Sequence, residues 1–268
     1  DNLHQRHRFR TKVICTIGPA SNDYDTLRAL YESGMSVVRI NMSHASYEEA
    51  SKTIQWIKTL NRKVQYPVPI ILDTQGPEIR TGVLARPISL EQGTNVLLVR
   101  ERNRQTVECI EQIEVGYDGL ADSVADGDTI RFDNGLINVS VESRDRKGIL
   151  CRVIDGGELG SRKHVNLPGV HVNLPTITPK DRADIVFGLE NDIDFVAQSF
   201  VRSPEDIDAM RDVLGDKNHV KVIAKIENQE GVANADAIAI AADGIMVARG
   251  DLGIETDIAE LPNLQREL

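Results

Sequence analysis

Apolar and polar positions follow two different rhythms along this chain. At first, short runs that are apolar at nearly every position alternate with stretches whose apolar residues recur three and four apart. Residues 12–17, 36–40 and 68–72 read as strands, and 23–33 and 46–61 as helices. Ser21 or Asn22 is available as N-cap of the first helix and Gly34 as its stop. Ile54, Ile57 and Leu60 share one face of the second. Strands apolar on both faces and alternating with helices predict a parallel sheet.

From about Gly82 to Arg152 the helical period disappears. Short alternating runs take its place at Asn95–Val99, 106–110, Thr129–Phe132, 136–141 and 149–153. They are separated by turn sequences such as Asp126-Gly127-Asp128, Asp133-Asn134-Gly135 and Asp155-Gly156-Gly157. This predicts a small all-β insert. The βα rhythm returns at Pro179–Glu190, a helix with Thr178 as N-cap. A strand at 195–197, a helix at Pro204–Leu214, a strand at 220–224, a helical turn at 231–235 and a strand at Gly244–Val247 follow. The count is six α/β strands, interrupted after the third. A TIM barrel needs eight strands and typically about 250 residues, against roughly 180 here outside the insert. The predicted fold is therefore an incomplete TIM (β/α)8 barrel with an inserted β domain. An open doubly wound sheet competes, although Thr16-Ile17-Gly18-Pro19 stands where its glycine fingerprint often lies.

Composition narrows the partners. The chain has 268 residues, 41% hydrophobic and 27% charged, enough for a real core. A net charge of −10 argues against nucleic acid. No long apolar span predicts a membrane segment. Residues 1–12 are polar and basic and read as a leader or short cap. Cys15, Cys109 and Cys151 are odd in number, lack zinc spacing and suit a reducing cytosol, with Cys15 expected as a small core residue.

The chemistry gathers where the strands end. Val222-Ile223-Ala224-Lys225-Ile226-Glu227-Asn228 and Gly244-Ile245-Met246-Val247-Ala248-Arg249-Gly250-Asp251 are apolar strands that end in charge. Lys225 and Glu227 are two apart and face the same way on an extended chain, and Arg249 and Asp251 are expected to repeat this. Such carboxylates can hold a hard divalent metal, and the lysine can neutralise a phosphoryl or enolate oxygen. A pair of structural salt bridges is the alternative. The second strand ends in Arg39-Ile40-Asn41-Met42-Ser43-His44, the third in Asp73-Thr74-Gln75-Gly76-Pro77-Glu78, the fourth in Gln198-Ser199-Phe200. Asn41, Ser43, Asp73 and Thr74 carry one charge among four oxygen donors, a cage for a weakly charged ion. Alternatively, Asn41 and Ser43 cap the following helix.

These residues match a known family. The segments at 11–19, 39–44 and 72–82, Val165-Asn166-Leu167-Pro168-Gly169, Lys225-Ile226-Glu227-Asn228-Gln229-Glu230-Gly231 and the stretch from Gly244 to Glu255 occur in family order, and the chain closely resembles pyruvate kinase. The resemblance implies a barrel at 1–76 and 168–268, with a β lid at 77–167 that closes on hinges near Pro77 and Pro168. It implies phosphoryl transfer from phosphoenolpyruvate to ADP in glycolysis, in the cytoplasm, by a homotetrameric parent. Residue by residue, it makes Glu227 and Asp251 the Mg²⁺ or Mn²⁺ ligands and Lys225 and Arg39 the catalytic cations that touch substrate. Gly250, Asp251 and Ser199 are further substrate contacts. The nucleotide falls to Asn41, Ser43, His44, Arg80 and Lys163. K⁺ falls to Asn41, Ser43, Asp73 and Thr74, with Glu78 marking potassium dependence and expected to stand uncompensated without the ion.

Gln75 and Asn134 depart from the common pattern. The strands, threonine and C-terminal domain that follow in the family do not occur before Leu268, so the isolated chain is expected to be inactive and poorly soluble. A truncated relative acting as a binding or regulatory protein is the alternative function. Aldolase- and lyase-type barrels fit less well, because they lack the lid and the cage around Asn41 and Asp73.

Overall fold

The structure is a computed structural model and describes residues 10–101, 110–145, 148–217 and 219–268. Residues 1–9 of the leader and nearly all of the strand expected at 106–110 lie outside the described residues.

The chain begins β1 (Val13–Thr16), α1 (Tyr24–Glu32), β2 (Met35–Asn41), α2 (Tyr47–Asn61), β3 (Ile70–Asp73). α1 is capped by Asp23, whose carboxylate accepts from Thr26 N–H at 2.9 Å. The expected caps are engaged elsewhere: Ser21 bonds to Gly18, and Asn22 accepts the Thr53 hydroxyl at 2.6 Å. Ser46 caps α2 through a reciprocal box with Glu49, which excludes Asn41 and Ser43 as its caps.

The insert follows: β4 (Ile79–Arg80), β5 (Ile88–Leu90), β6 (Asn95–Val99), β7 (Glu111–Glu114), α3 (Leu120–Ser123), β8 (Thr129–Phe132), β9 (Ile137–Asp145), β10 (Gly148–Asp155), β11 (Gly157–Leu159) and β12 (His164–Asn166). The chain then runs α4 (Pro179–Glu190), β13 (Phe195–Gln198), α5 (Pro204–Leu214), β14 (Lys221–Ile226), α6 (Gln229–Ala233), α7 (Ala235–Ala241), β15 (Gly244–Val247), α8 (Arg249–Glu255) and α9 (Leu261–Glu267).

The order β1-β2-β3-β13-β14-β15 decides between the competing folds. The strands follow one another in sequence, and the pairings whose registers are known are all parallel. A doubly wound sheet reverses direction partway, so this is the α/β order of a TIM-type barrel. All four residues of β3 are buried, as a strand covered on both faces requires. The outer strand β1 is different: Val13 and Ile14 are exposed and Cys15 is half-buried rather than core, although burial still pushes its thiol upward.

The insert forms a seven-stranded sheet, β4-β12-β8-β9-β10-β6-β7, and a two-stranded one, β11-β5. Its core holds Val96, Ile130, Phe132, Val139 and Cys151. Burial pushes the Cys151 thiol up to about 12, so it behaves as a small apolar residue.

The chain divides into two compact units. The first comprises Asp1–Gly76, Thr176–Lys225 and Ala235–Met246; the second comprises Pro77–Pro175, Ile226–Asn234 and Val247–Leu268. Among the described residues no helix is long and apolar enough to cross a membrane.

Candidate functional site

In the first unit the parallel register places the functional side chains side by side. Asn41 pairs with Asp73 across β2 and β3, and Ala197 of β13 pairs with Asp73 on the other side. Asp73 is fully buried and receives two cations. Arg39 bonds to its Oδ2, with Nε at 2.6 Å, and the Lys225 ammonium lies 3.1 Å from its Oδ1. The carboxylate predicted for the cage therefore also takes part in two ion pairs. Arg39 and Lys225 thus share one carboxylate, in surroundings where charges act strongly.

Lys225 is 7% exposed and donates to Ser199 Oγ at 2.7 Å, while Ser199 donates to the Thr74 carbonyl at 2.7 Å. Ser199 N–H in turn donates to the Thr74 hydroxyl at 3.2 Å. Ser199 and Thr74 thus fix the ammonium, a role that the sequence alone did not give Ser199. Thr16 accepts from Arg39 at 2.8 Å and steadies the guanidinium. The exit from β3 is tight. Gly76 has φ +75 and donates to Asp181 at 3.0 Å, and a Cβ on it would lie 2.8 Å from the Ser199 Cβ.

Asn41, expected either in the ion cage or as a helix cap, accepts from Ser43 N–H at 3.0 Å and so closes its own turn. Asp73 is in register with Asn41 and Thr74 follows it, so the donors of Asn41, Ser43, Asp73 and Thr74 are all oxygen, which fits a hard monovalent cation. His44 is exposed in the same turn.

In the second unit Glu227 follows the last residue of β14 and is 1% exposed. The N–H of Ala248 donates to the Ile226 carbonyl at 3.3 Å, so the entry to α8 is tied to the end of β14. Asp251 is in the first turn of α8. The expectation that Arg249 and Asp251 face the same way on an extended chain is corrected here, because both lie in a helix, where residues two apart diverge. Among the described residues no group of three or more histidines, cysteines and acids forms a metal cluster. Two hard carboxylates fit Mg²⁺ or Mn²⁺, which commonly take one or two protein carboxylates and complete their shell with water and substrate phosphate.

Glu78 is compensated. Its Oε2 pairs with Arg80 at 2.8 Å and its Oε1 with His164 at 2.9 Å, which corrects the expectation of an uncompensated charge. Arg80 also donates to the Arg162 carbonyl at 2.8 Å, and Lys163 pairs with Asp133 at 2.8 Å. Both remain more than a third exposed at the side chain. The His164 contact was missed, because one histidine in a three-residue strand carries no pattern.

The strand order and the β insert after the third strand define a TIM-type barrel protein with an inserted β domain, in which a buried lysine and a partly buried arginine meet on one aspartate. A family model described as "Pyruvate kinase, barrel domain" matches residues 8–268. The chain belongs to the pyruvate kinase family. It is 44% identical to a pyruvate kinase of Bacillus licheniformis and 46% identical to one of Geobacillus stearothermophilus, in each case over 97% of this chain. It is 40% identical to plastidial pyruvate kinase 2 of Arabidopsis thaliana over the same share. It spans 45%, 44% and 45% of those three relatives, so less than half of their length.

Proposed function

We propose that this chain carries phosphoryl-transfer machinery of a pyruvate kinase, moving the phosphoryl group of phosphoenolpyruvate to ADP to give pyruvate and ATP. The observation that carries the reading is the meeting of Arg39 and Lys225 on the fully buried Asp73, two cations held in place by one carboxylate. Phosphoryl transfer is mostly positioning and charge neutralisation, and a prearranged cation costs no reorganisation as the enolate charge develops. Arg39 holds the substrate phosphate. Lys225, held in place by Ser199 and Asp73, neutralises the phosphoryl group in transit and the enolate oxygen it leaves. Glu227 and Asp251 are the residues that would hold Mg²⁺ or Mn²⁺, which supplies positive charge to phosphate oxygens. Asn41, Ser43, Asp73 and Thr74 would hold K⁺. Backbone at Gly250 and Asp251 receives the substrate carboxylate, because the first N–H groups of a helix lack partners within it. His44, Arg80 and Lys163 serve the nucleotide, as do Asn41 and Ser43. Family membership supports a cytoplasmic homotetramer acting in glycolysis.

The test is a lactate-dehydrogenase-coupled assay of the full-length gene product with phosphoenolpyruvate, ADP and Mg²⁺. Turnover that rises with K⁺ and not with Li⁺ is expected. Binding of phosphoenolpyruvate and Mn²⁺ without turnover would favour the non-catalytic alternative. Separately, Glu227→Gln is expected to weaken Mn²⁺ binding, followed by water proton relaxation, by well over tenfold, since a ligand's effect should exceed the roughly 10–100-fold of outer-shell changes. Unchanged affinity would remove Glu227 from the ligand set.

A further inference from the structure

Three side chains from three elements of the second unit converge on the C-terminal end of α8. Arg131, on β8, donates from Nη1 to the carbonyls of Ile254 and, at 3.4 Å, of Thr256. Asn166, on β12, donates to Glu255 Oε1 at 2.8 Å, with both residues buried. Gln229, which opens α6, donates to the Glu255 carbonyl at 2.7 Å. Burial pushes the Glu255 carboxyl upward, as does the nearby Asp251 charge, against the hydrogen bond from Asn166 and the positive charge of Arg131. No step of the proposed reaction uses Arg131, Asn166 or Glu255.

Ordinary capping accounts for part of this, since cations and donors at a helix C-terminus satisfy its last carbonyls. Capping does not account for the buried Asn166–Glu255 bond, which grips a side chain rather than the helix end. Nor is α8 able to hold its own shape. It has seven residues, contains Gly250 and Gly253, and lacks a side-chain N-cap. Helices so short and glycine-bearing are marginal unless something outside fixes them. The fixing therefore comes from β8, β12 and α6. Asp251 and Glu255 are four apart, so they lie on one face of α8, one above the other. Gripping Glu255 sets the rotation of the helix about its axis, and that rotation aims Asp251.

We infer that Arg131, Asn166 and Glu255 form a positioning clamp that orients Asp251 toward a divalent cation. This rests on the reading of Asp251 as a metal ligand. Asn166, within the Val165-to-Gly169 segment, thereby couples the last strand of the insert to the metal-bearing helix.

The experiment measures Mn²⁺ affinity by water proton relaxation in the full-length gene product without substrates, beside its thermal unfolding. Arg131→Gln is expected to raise the Mn²⁺ dissociation constant about tenfold or more, in the range found for outer-shell partners of metal ligands. Arg131→Lys, which keeps a donor and the charge, is expected to recover most of that affinity. Asn166→Ser provides an independent second variant and is expected to weaken Mn²⁺ in the same direction. Folded variants that unfold earlier but bind Mn²⁺ as the parent does would overturn the clamp and leave a purely structural cap. A parent that binds no Mn²⁺ would overturn the metal reading itself and the clamp with it.

Discussion

Asp73→Ala is expected to destabilise the protein by about 3–5 kcal/mol, the usual cost of leaving a buried charge without its partner. The carboxylate is fully buried and faces Arg39 and Lys225 at once. Removing it takes the shared carboxylate from Arg39 on β2 and Lys225 on β14. Arg39 is partly exposed and can turn to water, whereas Lys225 cannot do so without leaving the Ser199 hydroxyl. Asp73→Asn keeps the volume and should fall between parent and alanine variant, because the amide oxygen still accepts a hydrogen bond but carries no charge. Urea unfolding of the full-length gene product measures both. A loss below about 1 kcal/mol for Asp73→Ala, the size of an average substitution, would show that the two cations are not held by this carboxylate.

Lys225→Met is expected to lower kcat by about 10²–10³-fold, the usual loss when one prearranged electrostatic stabiliser is removed. Methionine fills a similar volume, and Asp73 keeps Arg39, so the fold should survive. Mn²⁺ affinity should be little changed, because Lys225 is not a ligand. The coupled assay gives kcat, and relaxation titration gives the metal. A variant that turns over within tenfold of its parent would remove Lys225 from the chemistry and leave it as a structural partner of Asp73.

Much of this was readable from the chain because long elements carry their own periodicity. The fully apolar run that leads into Asp73 announces a strand covered on both faces, and Ile54, Ile57 and Leu60 on one face announce α2. The family segments marked Arg39, Asp73 and Lys225 as site residues. What stayed hidden was local or distant. β4 has two residues and β5, β11 and β12 three each, too few to show an alternation. α8 contains two glycines among seven residues, so it reads as a loop or a strand end rather than a helix. Asn22 looks like a cap until its oxygen is found on Thr53, thirty-one positions away. Arg131 sits at an ordinary polar position of an alternating strand, and nothing near it in sequence announces carbonyl partners more than a hundred residues downstream.

The placement of the insert bears on the order in which the chain folds. Most neighbouring parallel pairs, such as Val38 with Ile70 or Phe195 with Lys221, close over roughly thirty residues on the loop-closure scale. β3 must instead find β13 across more than a hundred residues, as Ile71 does with Phe195. A loop about four times longer costs only about 1.2 kcal/mol more in closure entropy if it stays slack. The slower step is the search itself, because distant partners meet late. A β insert that condenses first turns that slack into a short span between Gly76 and β13. Emerging from the ribosome, the insert would then act as a splint for the strand pair that carries Asp73. Substitutions in its core, at Phe132 or Val139, would be felt first as a slow or failed refolding of a sheet to which they do not belong.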